Sequence, residues 1–262
     1  MSQIPIKLRI VASLVIGLTW ASLAGFAAGM DLTHGQLDAV LKSRVSEGRV
    51  DYSGLKSQPA ELDRYLDSLA QTSWSEFKDW QASDRLAFLL NAYNAYTLRL
   101  IRDHYPLTSI RDIGNLLKGP WDQPVVRIYG ETLSLDTLEH QLIRRNYREP
   151  RIHFALVCAA KGCPPLRAEA FVGARLEAQL NEQSQAFLRD TSKNRIEVEA
   201  KTIFLSPIFK WYQEDFDRHA GSVLAALKPH WPELPTVTDG FRIRFTEYDW
   251  TLNDRPSGHT SP

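Results

Sequence analysis

Residues 83–106 read SDRLAFLLNAYNAYTLRLIRDHYP, and the way these residues must be buried sets the character of the fold. Apolar side chains recur on nearly every face of a 3.6-residue period, so the stretch is predicted to be a helix held inside the molecule rather than on its surface. Ser83 is placed to cap its first turn, and Pro106 to stop it near His104. Asn91 and Asn94 interrupt the apolar surface three residues apart. A buried amide is costly unless its hydrogen bonds are made, so this pair is expected either to brace neighbouring backbone or to face a polar cleft and contact substrate.

Outward from this helix, amphipathic helices and short extended pieces alternate without a βαβ rhythm. Leu37, Val40, Leu41 and Val45 make one stripe behind a cap at Thr33, and Pro59 opens a second helix through Leu62, Leu66 and Leu69. Val125–Ile128 is predicted to turn back at Tyr129-Gly130, and Ser134 to cap the helix SLDTLEHQLIRRNY, which carries Glu139 and His140 beside its buried stripe. A further helix over Glu169–Leu188, strands over Arg195–Leu205 and Phe241–Phe245, and a helix opened by Pro207 complete the pattern. The expectation is one α+β domain over residues 28–262, with the central apolar helix packed against a small, mainly antiparallel sheet and further helices at the periphery.

Residues 1–27 stand apart. Lys7 and Arg9 precede the apolar run from Ile10 to Ala24, and Gly25-Phe26-Ala27 offers small residues at the processing positions, the pattern of an export signal. An uncleaved anchor is the alternative, since Ile10–Ala28 nearly reaches the roughly 20 residues needed to cross a bilayer. Either way the remainder is expected in the periplasm or secreted, with membrane contact only through this segment. The 31 basic and 31 acidic side chains balance, which argues against a nucleic-acid partner. With 7 Trp and 9 Tyr the chain is rich in rings that suit a binding groove.

Residues 151–166, RIHFALVCAAKGCPPL, hold both cysteines. Arg151–Cys158 reads as a core strand closed off by Pro164-Pro165. Strand alternation would set His153 and Cys158 on opposite faces, so Cys163 in the loop beyond is the candidate nucleophile and His153 its base. Glu139 or His140 would orient the imidazole or share its proton. A Cys158–Cys163 disulfide competes with this reading, since oxidising surroundings favour pairing. Zinc is a third reading: His140, His153, Cys158, Cys163 and Glu139 include ligand types, but no diagnostic spacing joins them, and no cofactor is expected. Arg151, Lys161 and Arg167 ring the same stretch and could hold a carboxylate or phosphate, or simply form solvated ends. Nucleotide-binding and serine-hydrolase fingerprints are absent from the sequence.

FLLNAYNAYTLRLI, SLDTLEHQLIR, RIHFALVCAAKGCPPLR, FLSPIFKWYQEDF and EYDWTLN together resemble the family catalogued as domain of unknown function 547, found in bacterial exported proteins and larger plant proteins. That resemblance spans roughly Val50 to Asn253 and implies no reaction. A more distant similarity is to papain and transglutaminase-like proteins, in which a central helix packs on a sheet and a cleft histidine begins a strand. The nucleophilic cysteine of that fold starts the central helix, where this chain has Ser83 and Leu86. The leading expectation is an exported thiol-dependent acyl transferase or amide hydrolase acting on a peptide-like or cell-envelope molecule, with Asn91 or Asn94 touching substrate or the developing oxyanion. The alternatives are a non-catalytic envelope domain that binds a ligand or protein partner, with the cysteines bonded, and a zinc-dependent hydrolase.

Overall fold

The computed structural model describes residues 29–115, 117–238 and 240–255; the expected export signal lies outside these. In chain order the elements are α1 (Gly35–Arg44), β1 (Val45–Ser46), β2 (Arg49–Val50), α2 (Tyr52–Ser57), α3 (Ala60–Gln71), α4 (Trp74–Asp79) and α5 (Ala82–His104). There follow β3 (Val126–Ile128), β4 (Glu131–Leu133) and α6 (Leu135–Thr137), which runs straight into a π-helix over Leu138–Arg144. After a 3₁₀ turn at Pro150–Phe154 come α7 (Leu176–Arg189), β5 (Arg195–Glu197), β6 (Thr202–Leu205), α8 (Ile208–Trp211), α9 (Gln213–Ala220), α10 (Val223–Leu227) and β7 (Arg242–Phe245). The fold is α+β. No helix among the described residues is long and apolar enough to cross a membrane.

The central helix forms as its composition dictates. From Leu86 to Leu98 every residue of α5 is buried. It starts two residues earlier than a cap at Ser83 would set: Gln81 is the N-cap, without a side-chain bond, and Ser83 lies in the first turn. Its neighbours are chiefly helical, α2 and α3 on one side and the π-helix on another, with β3 the strand it touches most. Among the described residues the strands are two to four residues long and make three separate small sheets, antiparallel except for the β6–β7 pairing. Strands so short bury little of their own, and each sheet is held by the helices it packs on.

Two apolar clusters result. The larger surrounds α5, and the second gathers Phe154, Phe187, Ile203, Phe209, Phe216 and Trp231. Burying each such side chain contributes on the order of 2 kcal/mol.

The segment Arg151–Cys158 is not the strand its apolar run suggests. Pro150 opens a 3₁₀ turn whose first free N–H, that of Arg151, is taken by the Glu149 carboxylate. Beyond it the Asn94 amide donates to Ala155 O at 2.9 Å and accepts from Val157 N at 3.0 Å. A side chain thus supplies two of the bonds that a neighbouring strand would have made, and the segment stays irregular.

Candidate active site

Between the two clusters lies a cavity of about 360 Å3, and the chain builds it from several stretches spread between Tyr93 and Trp250. Tyr93 of α5 reaches it from one side, and the π-helix contributes Glu139 and His140. His153 comes from the 3₁₀ turn, both cysteines from the loop after it, and Trp211, Tyr212, Tyr248 and Trp250 from the last third of the chain. Extra residues wound into a helix recur at functional sites because they re-aim side chains, and here the π-turn carries a buried glutamate into the cavity wall.

His153 is the most constrained group. It is 3% exposed, its ring stacks on Tyr212 with centroids 3.9 Å apart, and its Nε2 lies 2.8 Å from Asp215 Oδ2. Arg144 Nε donates to the same oxygen at 2.7 Å. Burial drives the imidazole pKa down, partly opposed by the Asp215 hydrogen bond and the charge of Glu139, so the neutral ring is favoured. Burial would raise the Asp215 carboxyl, but the bonds from His153 and Arg144 outweigh it and hold it well below the usual carboxylate range. With Asp215 ionised, Nε2 carries the proton and donates it. Nδ1 makes no hydrogen bond among the described residues and keeps its lone pair as a base. Asp215, not Glu139 or His140, is therefore the group that orients His153.

Glu139 and His140 have other partners. Glu139 Oε1 accepts from the Tyr212 hydroxyl at 2.8 Å, while His140 Nδ1 lies 2.7 Å from Arg144 Nη1. Burial, reinforced by the negative charge of Glu139, keeps the Tyr212 and Tyr248 hydroxyls protonated, so both act as donors. Arg144 sits over the Tyr212 ring at 4.9 Å and links histidine, aspartate and tyrosine into one network.

Cys158 and Cys163 are joined in a disulfide, so Cys163 is not a free thiol here. Both sulfurs border the cavity. The Cys158 N–H points at Cys163 Sγ at 3.0 Å, and the Tyr248 hydroxyl lies 3.1 Å from one sulfur and 3.2 Å from the other. Residues 248–254 bring Tyr248 there. Gly162 N donates to Asp249 O and Lys161 N to Thr251 O, while Leu252 N donates to Thr108 O and Val50 N to Asn253 O. A Cβ at position 162 would meet Asp249 N and the Tyr248 ring at 3.0 Å, so a larger residue there would push the strap a few tenths of an ångström away from the cysteine loop. At the mouth Trp250 stacks on Trp211 and meets Trp121 edge-on, forming an aromatic wall.

The other expected substrate contacts lie elsewhere. Asn91 donates to Phe171 O and accepts from Phe171 N, as Asn94 does with Ala155 and Val157; both amides brace backbone, and neither borders the cavity. Arg151 is consumed by Glu149 and Glu177, and Arg167 by Glu169 and Glu182, because each carries acids within reach on its own or the next element. Lys161 borders a different cavity, on the far side of the cysteine loop. Among the described residues no three His, Cys, Asp or Glu side chains are placed to hold a metal ion together, and so the zinc reading has no ligand set there. Asp215 and Arg144 are not singled out by the sequence reading, although both fall inside quoted family motifs, FLSPIFKWYQEDF and SLDTLEHQLIR, as Tyr212 and Tyr248 fall inside FLSPIFKWYQEDF and EYDWTLN.

Residues 77–188 match the family model described as "Protein of unknown function, DUF547", the family that the sequence motifs pointed to. The match takes in α5, the π-helix, the cysteine loop and most of α7. Comparison with curated proteins and with solved structures gave no match. The similarity to papain-like proteins gains no support, and the histidine strand it relied on is a 3₁₀ turn.

Proposed function

We propose that this chain is an exported enzyme of acyl-transfer or amide-hydrolysis type, acting on a peptide-like or cell-envelope molecule once its disulfide has been opened. The observation that carries the reading is the Asp215–His153 pair, a buried neutral imidazole held by a carboxylate in the cavity that both cysteine sulfurs border. A dithiol would give two electrons and two protons to the Cys158–Cys163 bond, becoming a disulfide itself and leaving two thiols. Cys163 would then pass its proton to His153 Nδ1 and attack the acyl carbon, with the carbonyl electron pair moving to oxygen. Collapse of that adduct expels the amine, which takes the proton from His153, and leaves a thioester on Cys163. Water or an acceptor amine attacks the thioester with His153 again taking and returning one proton. The Cys158 N–H and the Tyr248 hydroxyl, already directed at sulfur, would favour the thiolate.

The disulfide itself favours a second reading, a non-catalytic binding domain using the same aromatic-walled cavity. Mass spectrometry after exposure to p-nitrophenyl acetate separates the two. The enzyme reading expects an acetyl group on Cys163 of protein treated with dithiothreitol, less of it in His153→Ala, and none in untreated protein or Cys163→Ser. Reduced protein that gains no acetyl group on Cys163 leaves the binding reading standing.

A further inference from the structure

The cavity that holds His153 and the disulfide is one-sided in charge. Asp122, Asp136 and Glu139 border it, and no lysine or arginine does. Asp122 and Asp136 are exposed, whereas Glu139 is only 7% exposed. Asp136 has His140 Nε2 at 3.5 Å, and Asp122 Oδ2 accepts from Gly119 N at 2.9 Å. Glu139 accepts from the Tyr212 hydroxyl but makes no ion pair among the described residues. Arg144, the cation of the surrounding network, gives its Nε to Asp215 and its Nη1 to His140.

A buried carboxylate without a cation is costly, and one in the wall of an open cavity marks where a positive charge is welcome. Burial, and after it the charge of Glu139, raises the pKa of Tyr93, Tyr212 and Tyr248, so these three border the hollow as neutral groups. The aromatic wall suits a cation as well. Trp250 has its centroid 5.9 Å from that of Trp211, 6.0 Å from that of Trp121 and 4.6 Å from that of Tyr248, and Trp211 is 48% exposed. The faces of such rings are negative and attract an ammonium group within about 6 Å. Arg111 lies over the Trp250 ring at 5.3 Å without bordering the cavity. A carboxylate or phosphate ligand would meet three acids here with no lysine or arginine in the wall to offset them.

We propose that this cavity selects a cationic substrate, a peptide-like molecule whose lysine-type side chain runs along the aromatic wall with its ammonium drawn toward Glu139. The inference rests on reading the cavity as the substrate site, and it narrows that reading from peptide-like molecules in general to basic ones. Asp136 and Asp122, at the exposed side, add to the field that draws the cation in.

Calorimetric titration of untreated protein, its disulfide intact, keeps recognition apart from thiol chemistry. Nα-acetyl-lysine amide is expected to bind at least tenfold more tightly than Nα-acetyl-norleucine amide, which keeps the carbon chain and lacks the charge. Glu139→Gln is expected to cut that preference at least threefold, and Trp211→Ala to weaken the lysine compound more than the norleucine one. Trp74→Ala, an exposed ring outside this cavity, should change neither. The proposal is overturned if the lysine compound gives no binding at millimolar concentration, if the two compounds bind alike, or if Glu139→Gln leaves the preference whole. Should Glu139→Gln fail to fold by circular dichroism, an unchanged preference in Asp136→Asn, where the side chain is exposed, overturns it equally. Acetylation of Cys163 in reduced protein that shows no preference for the lysine compound would sink this inference and keep the enzyme reading. A tenfold preference in protein that never acetylates would do the reverse, and the cation would then be a bound ligand.

Discussion

Replacing Asp215 with asparagine keeps the shape of the side chain and removes its charge. In the native chain one carboxylate oxygen accepts from both His153 Nε2, at 2.8 Å, and Arg144 Nε, at 2.7 Å, with the carboxylate only 12% exposed. A hydrogen bond to an ionised group contributes about 1.5–3 kcal/mol against about 1 for a neutral one, so two bonds lose roughly 2 kcal/mol. Arg144, 22% exposed, also keeps a charge with no carboxylate beside it, which brings the expected loss to about 2–4 kcal/mol. Urea denaturation at pH 7 measures it, with Glu214→Gln, on the exposed face of the same helix, as a control expected within about 0.5 kcal/mol of wild type. Because the folded pKa of Asp215 is depressed, its stabilisation is complete above the unfolded carboxylate pKa and is lost as pH falls through the folded value. The gap between wild type and Asp215→Asn should therefore be flat from pH 7 to 5 and narrow only below about pH 4. A gap under about 1 kcal/mol at pH 7, or one that closes between pH 7 and 5, would refute the network as described.

His34 offers a second pH dependence: it is 1% exposed, its Nδ1 lies 2.9 Å from the Tyr65 hydroxyl, and burial pushes its pKa down to about 4. The unfolded chain then takes up a proton near pH 6.5 that the folded chain refuses, so stability falls from there to about pH 4 by up to about 3 kcal/mol. His34→Asn, which tolerates the φ of 52° at this position, should flatten that part of the stability curve. Asn94→Ala leaves Ala155 O and Val157 N without partners and is expected to cost about 3 kcal/mol or more, with faster hydrogen exchange at the Val157 amide as a local readout. Opening the Cys158–Cys163 bond with dithiothreitol should yield two titratable thiols and lower the unfolding free energy by only about 2 kcal/mol, since the loop it closes is short. Complete unfolding on reduction would contradict that.

The central helix was legible because its burial is written into nearly every residue from Leu86 to Leu98, and the β3–β4 turn because Tyr129-Gly130 leaves the backbone few choices. Arg151–Cys158 was not. Its apolar run has the same composition whether its backbone bonds go to a strand or to the amide of Asn94, and no local pattern distinguishes them. Glu139, His140, His153 and Cys163 do border one cavity, as their proximity in the chain suggested, but the partner of His153 was hidden. Asp215 sits 62 residues away among Glu214 and Asp217 in a helix of mixed charge. Only packing against the 3₁₀ turn decides which acid faces inward.

The strap over residues 248–254 ties the time at which the site can exist to the order of synthesis. Tyr248 and Trp250 are made after every other side chain that lines the cavity, yet the backbone bonds around them reach to Val50, Thr108 and the cysteine loop. A nascent chain lacking them has its imidazole, its glutamate and both sulfurs but neither the hydroxyl between the sulfurs nor the outer rim. Chains cut short by a few dozen atoms of backbone near Asp249 should thus keep much of the helical core while having no finished hollow to bind or react in.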